Sequence, residues 1–264
     1  MSFGLVAGGV GPPSWTGDLA SFMDRAEDFV EPKKGESHRS QAPSRRGRED
    51  VPPAAPGETR PLFLTFDDGP LACTGKILEL LAASGNKATF FVIGRNLVNA
   101  KLREMVLKAM REGHDIANHS YDHPDFSTIS ATRAEKEIVS TYNLIEELVK
   151  EAGADTERQN RFFRFPYGVE GSRNVRAACE KVLSELNYRI AWWDVDTHDW
   201  QMEVAFFPRS SSSVLASLKH ARPSDVVLMH DRDKTALHLP EMLRLLTYQQ
   251  LMSIPLSKYD SSPA

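Results

Sequence analysis

Cysteine is scarce in this sequence: Cys73 and Cys179 are the only two in 264 residues. Two are too few for a disulfide scaffold, and they lie too far apart to suggest a thiolate zinc site. The two could pair with each other or both be buried thiols; buried thiols are the expected reading, which leaves the redox compartment open. Basic residues are not in excess either. Lys and Arg number 32 against 36 Asp and Glu, for a formal charge of −4, so nothing supports the basic face that nucleic-acid binding asks for. No apolar run approaches the length of a membrane-spanning helix. The opening residues, MSFGLVAGGVGPPSW, lack a basic head and are broken by glycine, unlike a signal peptide. Neither GxGxxG nor a P-loop occurs, which removes the common nucleotide fingerprints. Residues 31–60 almost lack large apolar side chains and are rich in Pro, Ser and charge. Such a stretch cannot bury enough surface to offset its ordering entropy and reads as a disordered linker.

What is present is ordinary for a soluble globular chain, with 41 % hydrophobic and 26 % charged residues. Ahead of the linker, Leu19, Phe22, Met23, Ala26 and Val30 fall near helical spacing and predict one short amphipathic helix. The expected organisation is therefore an extension over residues 1–60 and one domain over 61–264. From residue 61, short apolar runs alternate with amphipathic segments. LFLTF (62–66), ATFFVI (88–93), HDIANH (114–119), FFRFPY (162–167), RIAWWDV (189–195) and DVVLMH (225–230) read as strands. Helices are expected around 74–84, 96–112, 131–151, 172–186, 210–220 and 239–249. Six βα units in a row predict an α/β fold with parallel strands, and a barrel fits better than a doubly wound sheet.

The unusual polar residues collect at the C-terminal ends of these strands. Asp67 and Asp68 end the first, and His119 and His123 lie at and after the third. Arg164 and Tyr167 end the fourth, Asp196, Asp199 and Trp200 follow the fifth, and His230 and Asp231 end the sixth. That is the face on which βα-barrel enzymes build active sites. Asp-Gly-Pro alone reads as a turn. Two adjacent carboxylates repel each other, however, and a cation is the simplest way to make the pair tolerable. The spacing of "HSYDH" can set two imidazoles on one side of a turn, a common zinc geometry that also arises by chance. With one carboxylate added, three protein ligands leave a position for water, as in catalytic rather than structural zinc sites. His114 lies at the start of its strand and reads as structural. Trp192 reads as core, and Asp122 as a loop residue.

In order and spacing, "TFDDGP" (65–70), "HSYDH" (119–123), "RFPYG" (164–168), "DVDTHDW" (194–200) and "LMH" (228–230) resemble the five motifs of the polysaccharide deacetylases. These are the NodB-like carbohydrate esterases of family 4, and the likeness covers about residues 61–250. The resemblance implies a distorted (β/α)7-type barrel with parallel strands and hydrolysis of N-acetyl groups on GlcNAc residues of a glycan. It also implies one divalent ion, Zn²⁺ first and Co²⁺ or Ni²⁺ as alternatives, held by Asp68, His119 and His123. Asp67 becomes the general base, Arg164 its partner, and His230 the acid. Asp196 is the first choice of carboxylate behind His230 and Asp199 the second. Pro166, Tyr167, Trp200 and Leu228 become substrate contacts, with the Tyr167 N–H aimed at the oxyanion. Phe165 departs from the proline usual in the family, and a changed groove wall is expected there. The chain is expected to act as a monomer outside the cytoplasm, with the cytoplasm as the alternative. An O-acetyl esterase, as on xylan, and a silent carbohydrate-binding relative are the competing readings.

Overall fold

A computed structural model describes residues 58–153, 161–206 and 208–258. The helix expected near 18–30 and most of the expected linker lie outside these residues. Strand β1 (Arg60–Gly69) is followed by α1 (Thr74–Ala83), β2 (Thr89–Val92) and α2 (Ala100–Arg111). Next come β3 (Asp115–Asn118), α3 (Ala131–Ala152), β4 (Arg161–Phe163) and α4 (Arg173–Glu185). The chain continues through β5 (Tyr188–Ile190), β6 (Val195–Asp196), α5 (Ser211–Leu218), β7 (Val226–His230), α6 (Asp233–Tyr248) and β8 (Leu251–Ser253). The strands pair in parallel in the order β5-β4-β3-β2-β1-β7-β6, with β8 added at the start of β1. This is the curled sheet of a distorted (β/α)7-type barrel. No helix among the described residues is long and apolar enough to cross a membrane.

Local chemistry explains most boundaries. Ser130, Ser172 and Ser210 each accept a backbone N–H from the first turn of α3, α4 and α5, and Asn99 does so for α2. Gly153 closes α3 in the left-handed region at φ 67°. Two expectations need correction, and one strand was not expected. RIAWWDV is not one strand: β5 ends at Ile190 and β6 begins at Val195, with β4 and β7 as their respective partners. The last helix starts at Asp233 rather than 239, because Pro240 is accommodated inside it. The short strand β8 gave no clear alternation in sequence.

Alternation along the strands decides what reaches the site. Leu62, Leu64 and Phe66 of β1 pack outward against the helices, together with Val227 and Met229 of β7. Phe63 packs with Phe91, Ala117, Phe162 and Ala191 in a separate apolar cluster inside the sheet's curl. With a period of two, the rows 63-65-67, 117-119, 162-164 and 226-228-230 face inward. Apolar residues fill the lower layer, and Asp67, His119, Arg164 and His230 form the upper one. The strand register puts them level: Asp67 pairs with His230, Val92 with Asn118, and Asn118 with Phe163.

Candidate active site

Asp68 breaks the alternation. Continuing β1 regularly would send its carboxylate outward, away from Asp67. Instead the register of β1 against β2 shifts between Phe66 and Gly69, and Asp68 takes a left-handed φ of 72°. The bulge turns both carboxylates toward the same mouth. The rearrangement thus begins at Asp68, one residue before the Gly69-Pro70 turn. Gly69 has a different necessity, since a Cβ there would lie 2.5 Å from Asp231 Oδ2. Asp231 is fully buried and props this corner. Its N–H donates to the Asp67 carbonyl at 2.8 Å, and Thr74 Oγ1 donates to its carboxylate at 2.5 Å. Burial pushes the Asp231 carboxyl up to about 6.

Asp68, His119 and His123 offer donor atoms that lie within 4.8 Å of one another. Asp68 Oδ1 is 3.2 Å from His123 Nε2 and 3.7 Å from His119 Nε2. A tetrahedral ion with ligands at about 2.0–2.1 Å separates its donors by about 3.3 Å, so the spacing fits. The tautomer of His119 fits as well. Its Nδ1 faces the Arg164 carbonyl at 2.9 Å; a carbonyl only accepts, so Nδ1 carries the hydrogen and Nε2 presents a lone pair. Burial, outweighing the neighbouring carboxylates, lowers the His119 pKa and keeps the ring neutral. Burial acts on Asp68 in the opposite sense, raising its pKa, but the histidines around it prevail and hold it well below the usual carboxylate range. Asp68 Oδ2 is turned away from the histidines and accepts from Arg232 Nη2 at 2.5 Å.

Asp67 occupies the other side. Its Oδ1 accepts from Arg164 Nη1 at 2.7 Å, while Oδ2 is 3.6 Å from His119 Nε2. Arg164 is wholly buried, which rules out a surface ion pair. Its Nη1 also donates to Thr65 Oγ1 at 2.8 Å, its Nε donates to the Ala191 carbonyl at 3.1 Å, and the guanidinium carbon lies 4.0 Å from the centroid of the Phe91 ring. A guanidinium buried this deeply needs such compensation.

The carboxylate behind His230 is Asp199, which reverses the expected preference for Asp196. Asp199 Oδ1 meets His230 Nδ1 at 2.7 Å, and Oδ2 accepts the His230 N–H at 2.8 Å and Thr235 Oγ1 at 2.5 Å. Asp196 instead caps its own loop, accepting the His198 N–H at 2.8 Å. Burial opposes a charge on His230, but the Asp199 carboxylate, aided by Asp67 and Asp68, raises the ring to about 9. Around the mouth, Tyr167 is exposed at φ 57°, its ring centroid 4.6 Å from that of His123. Trp200 is 41 % exposed beside Asp199, and Leu228 and Pro166 are buried. Phe165 does not line a groove wall: it is buried against Phe163, Phe126 and Trp192. The two thiols are free and buried.

Sequence reading missed Thr65, Thr235, Arg232 and Glu137. A threonine inside a strand or a first helical turn carries no signal. Glu137 carried a weak one, a charge on the buried stripe of α3 that includes Ala134, Ile138 and Thr141.

Comparison with known proteins agrees with this geometry. A sequence model of the family described as polysaccharide deacetylase matches residues 54–191. A chitooligosaccharide deacetylase of Bradyrhizobium sp. (strain ANU 289) is 33 % identical over 66 % of this chain and 71 % of its own length. A peptidoglycan-N-acetylglucosamine deacetylase of Bacillus cereus is 34 % identical over 63 % of this chain and 54 % of its own. Among solved structures, a family 4 carbohydrate esterase from Streptomyces lividans in complex with acetate superposes with a TM-score of 0.59 at 29 % identity. That match covers 74 % of this chain and 91 % of the other.

Proposed function

The chain belongs to the polysaccharide deacetylase family, and from that premise we propose that it is a metal-dependent hydrolase removing N-acetyl groups from GlcNAc residues of a glycan. The supporting observation is the convergence of Asp68, His119 and His123 beside two proton-handling pairs, Asp67–Arg164 and His230–Asp199. Asp68, His119 and His123 would hold the ion; two imidazoles and one carboxylate suit Zn²⁺ and also accept Co²⁺ or Ni²⁺. When bound, the ion supplies Lewis acidity toward the acyl oxygen and toward a water.

The chain's own residues then divide the proton work. Asp67 Oδ2 takes the proton of the attacking water, while Arg164 keeps Oδ1 occupied and the carboxylate oriented. The Tyr167 N–H donates to the oxyanion that forms as the C–O bond is made. His230, tethered through Nδ1, gives the Nε2 proton to the amine as the C–N bond breaks. The products are acetate and a free amino sugar. Trp200, Leu228 and Pro166 form the wall for the acetyl methyl and a sugar face.

The catalytic unit is residues 61–264, with residues 1–60 an extension that the barrel does not need. We place its action at the cell envelope or outside the cell, where such glycans occur. The deciding experiment measures acetate release from chitin oligomers, peptidoglycan and acetylxylan, with and without chelator. Release from a GlcNAc substrate that chelator abolishes is expected. Release from acetylxylan alone would replace the amidase reading with an esterase one, and no release from any would favour a silent binding relative.

A further inference from the structure

The loop that carries His119 and His123 is held on every side before any ion is considered. Ser120 and His123 adopt left-handed φ values of 66° and 60°, a region that brings Cβ too close to the backbone and that residues other than glycine enter only at a steric cost. Something must hold them there. The Ser120 N–H donates to Asn118 Oδ1 at 2.9 Å, and the His123 N–H donates to Ser120 Oγ at 3.1 Å. The carbonyls of Ser120 and Tyr121 accept from the N–H groups of Gly94 and Arg95. The two central amides are left, and both go to one atom. Oε2 of Glu137, a carboxylate only 1 % exposed, accepts the N–H of Tyr121 at 2.8 Å and of Asp122 at 2.7 Å. Its Oε1 accepts Arg133 Nε at 2.7 Å, and the same guanidinium pairs with the Asp122 carboxylate.

Glu137 belongs to α3, a helix of 22 residues whose buried face includes Ala134, Ile138, Thr141 and Ile145. It is therefore a fixed post, and hydrogen bonds to an ionised acceptor are roughly twice as strong as neutral ones. A buried carboxylate whose oxygens are used on this loop and on the arginine that also grips the loop is an expensive way to make a turn. A ligand pair that must be held at one separation supplies a reason for it. We propose that Glu137 is the positioning residue of the metal centre: it fixes the spacing of His119 and His123 in the metal-free chain and so sets the affinity for the ion. This rests on the metal site proposed above, although the clamp itself can be observed without metal.

The test uses the full chain, wild type and three variants. Glu137→Leu removes both acceptors. Glu137→Gln keeps a carbonyl for the two amides and loses the charge. Glu146→Gln, further along the same helix, removes an ion pair with Arg161 of β4 and touches nothing on the loop. Zn²⁺ affinity is read by competition with a chromophoric chelator, and amide exchange of Tyr121 and Asp122 is followed in the metal-free chains. Outer-shell partners are typically worth about 10–100-fold in affinity, so that loss is expected for Glu137→Leu and a smaller one for Glu137→Gln. Amide protection should fall in the same order, and Glu146→Gln should change neither. Wild-type affinity in a folded Glu137→Leu, or an equal loss in Glu146→Gln, would overturn the proposal. If Glu137→Leu does not fold, unchanged affinity and protection in Glu137→Gln overturn it alone. Failure of the wild type to bind Zn²⁺ while the amides remain protected by Glu137 would instead count against the metal reading itself.

Discussion

Two groups of polar side chains share the rim of the barrel, and they differ in how fully the protein satisfies them. Around Asp199 the structure leaves little open: the carboxylate is fully buried and takes the His230 N–H, His230 Nδ1 and Thr235 Oγ1. Around Asp68 the converging atoms Oδ1, His119 Nε2 and His123 Nε2 have mainly one another. Saturation tunes a proton, since a ring locked to a carboxylate holds its charge. Convergence of lone pairs calls for a cation. Asp67 stands between the two groups, with one oxygen saturated by Arg164 and the other facing the mouth. A group poised in that way suits a base that must both stay oriented and react.

The largest effect should come from breaking the boundary between the groups. Asp67→Asn is expected to lower turnover by about 10²–10⁴-fold, the usual worth of a general base, with the metal content of the purified chain unchanged. His230→Ala should have a comparable effect on turnover, again with metal retained. Near-normal turnover in this variant would remove His230 from the mechanism.

A subtler change sharpens the contrast. Asp199→Asn keeps the shape and removes the charge, so the His230 proton should leave at lower pH. In the wild type, activity should fall on the alkaline side as His230 loses its proton near 9, or lower once a dication offsets the charge of Asp68. In Asp199→Asn that limb should move down by about 1–3 units. The sign for stability is the same. A His raised above its unfolded value near 6.5 stabilises the fold fully below that value, and the gain is lost as pH rises through about 9.

The smallest effect on activity is expected far from the rim. His114 accepts the Ala88 N–H through Nδ1 at 3.0 Å, and burial lowers it to about 4. Its stabilising contribution is present above about 6.5 and is lost as pH falls through about 4. Unfolding measured between neutral and acid pH should show that loss, and His114→Gln should reduce it without changing turnover at neutral pH.

Most of the rim was legible in the sequence because period-two alternation carries Asp67, His119, Arg164 and His230 inward, and motif spacing marks them. What was not legible depends on geometry finer than a pattern. Asp196 and Asp199 look equivalent in "DVDTHDW", and only the path of the loop after β6 decides which carboxylate meets His230. The bulge at Asp68 is a backbone choice that no side chain announces. Phe165 looked like a groove residue because it lies in a motif, yet it faces an aromatic cluster. RIAWWDV was apolar enough for one strand, but the sheet has different partners for its two ends. Glu137 was hidden because a charge on a buried stripe usually means a boundary misjudged by a turn.

The most direct test of the division of labour compares two adjacent substitutions in one assay. Metal content and turnover are measured together for Asp67→Asn and Asp68→Asn, with Zn²⁺ titrated back into each. Asp67→Asn should carry about one ion per chain, as three protein ligands imply, and stay inactive at any Zn²⁺ concentration. Asp68→Asn should purify with little metal and regain part of its turnover as Zn²⁺ is raised. Equal loss of metal in both variants, or full activity in Asp67→Asn, would contradict the separate roles assigned to the two acids.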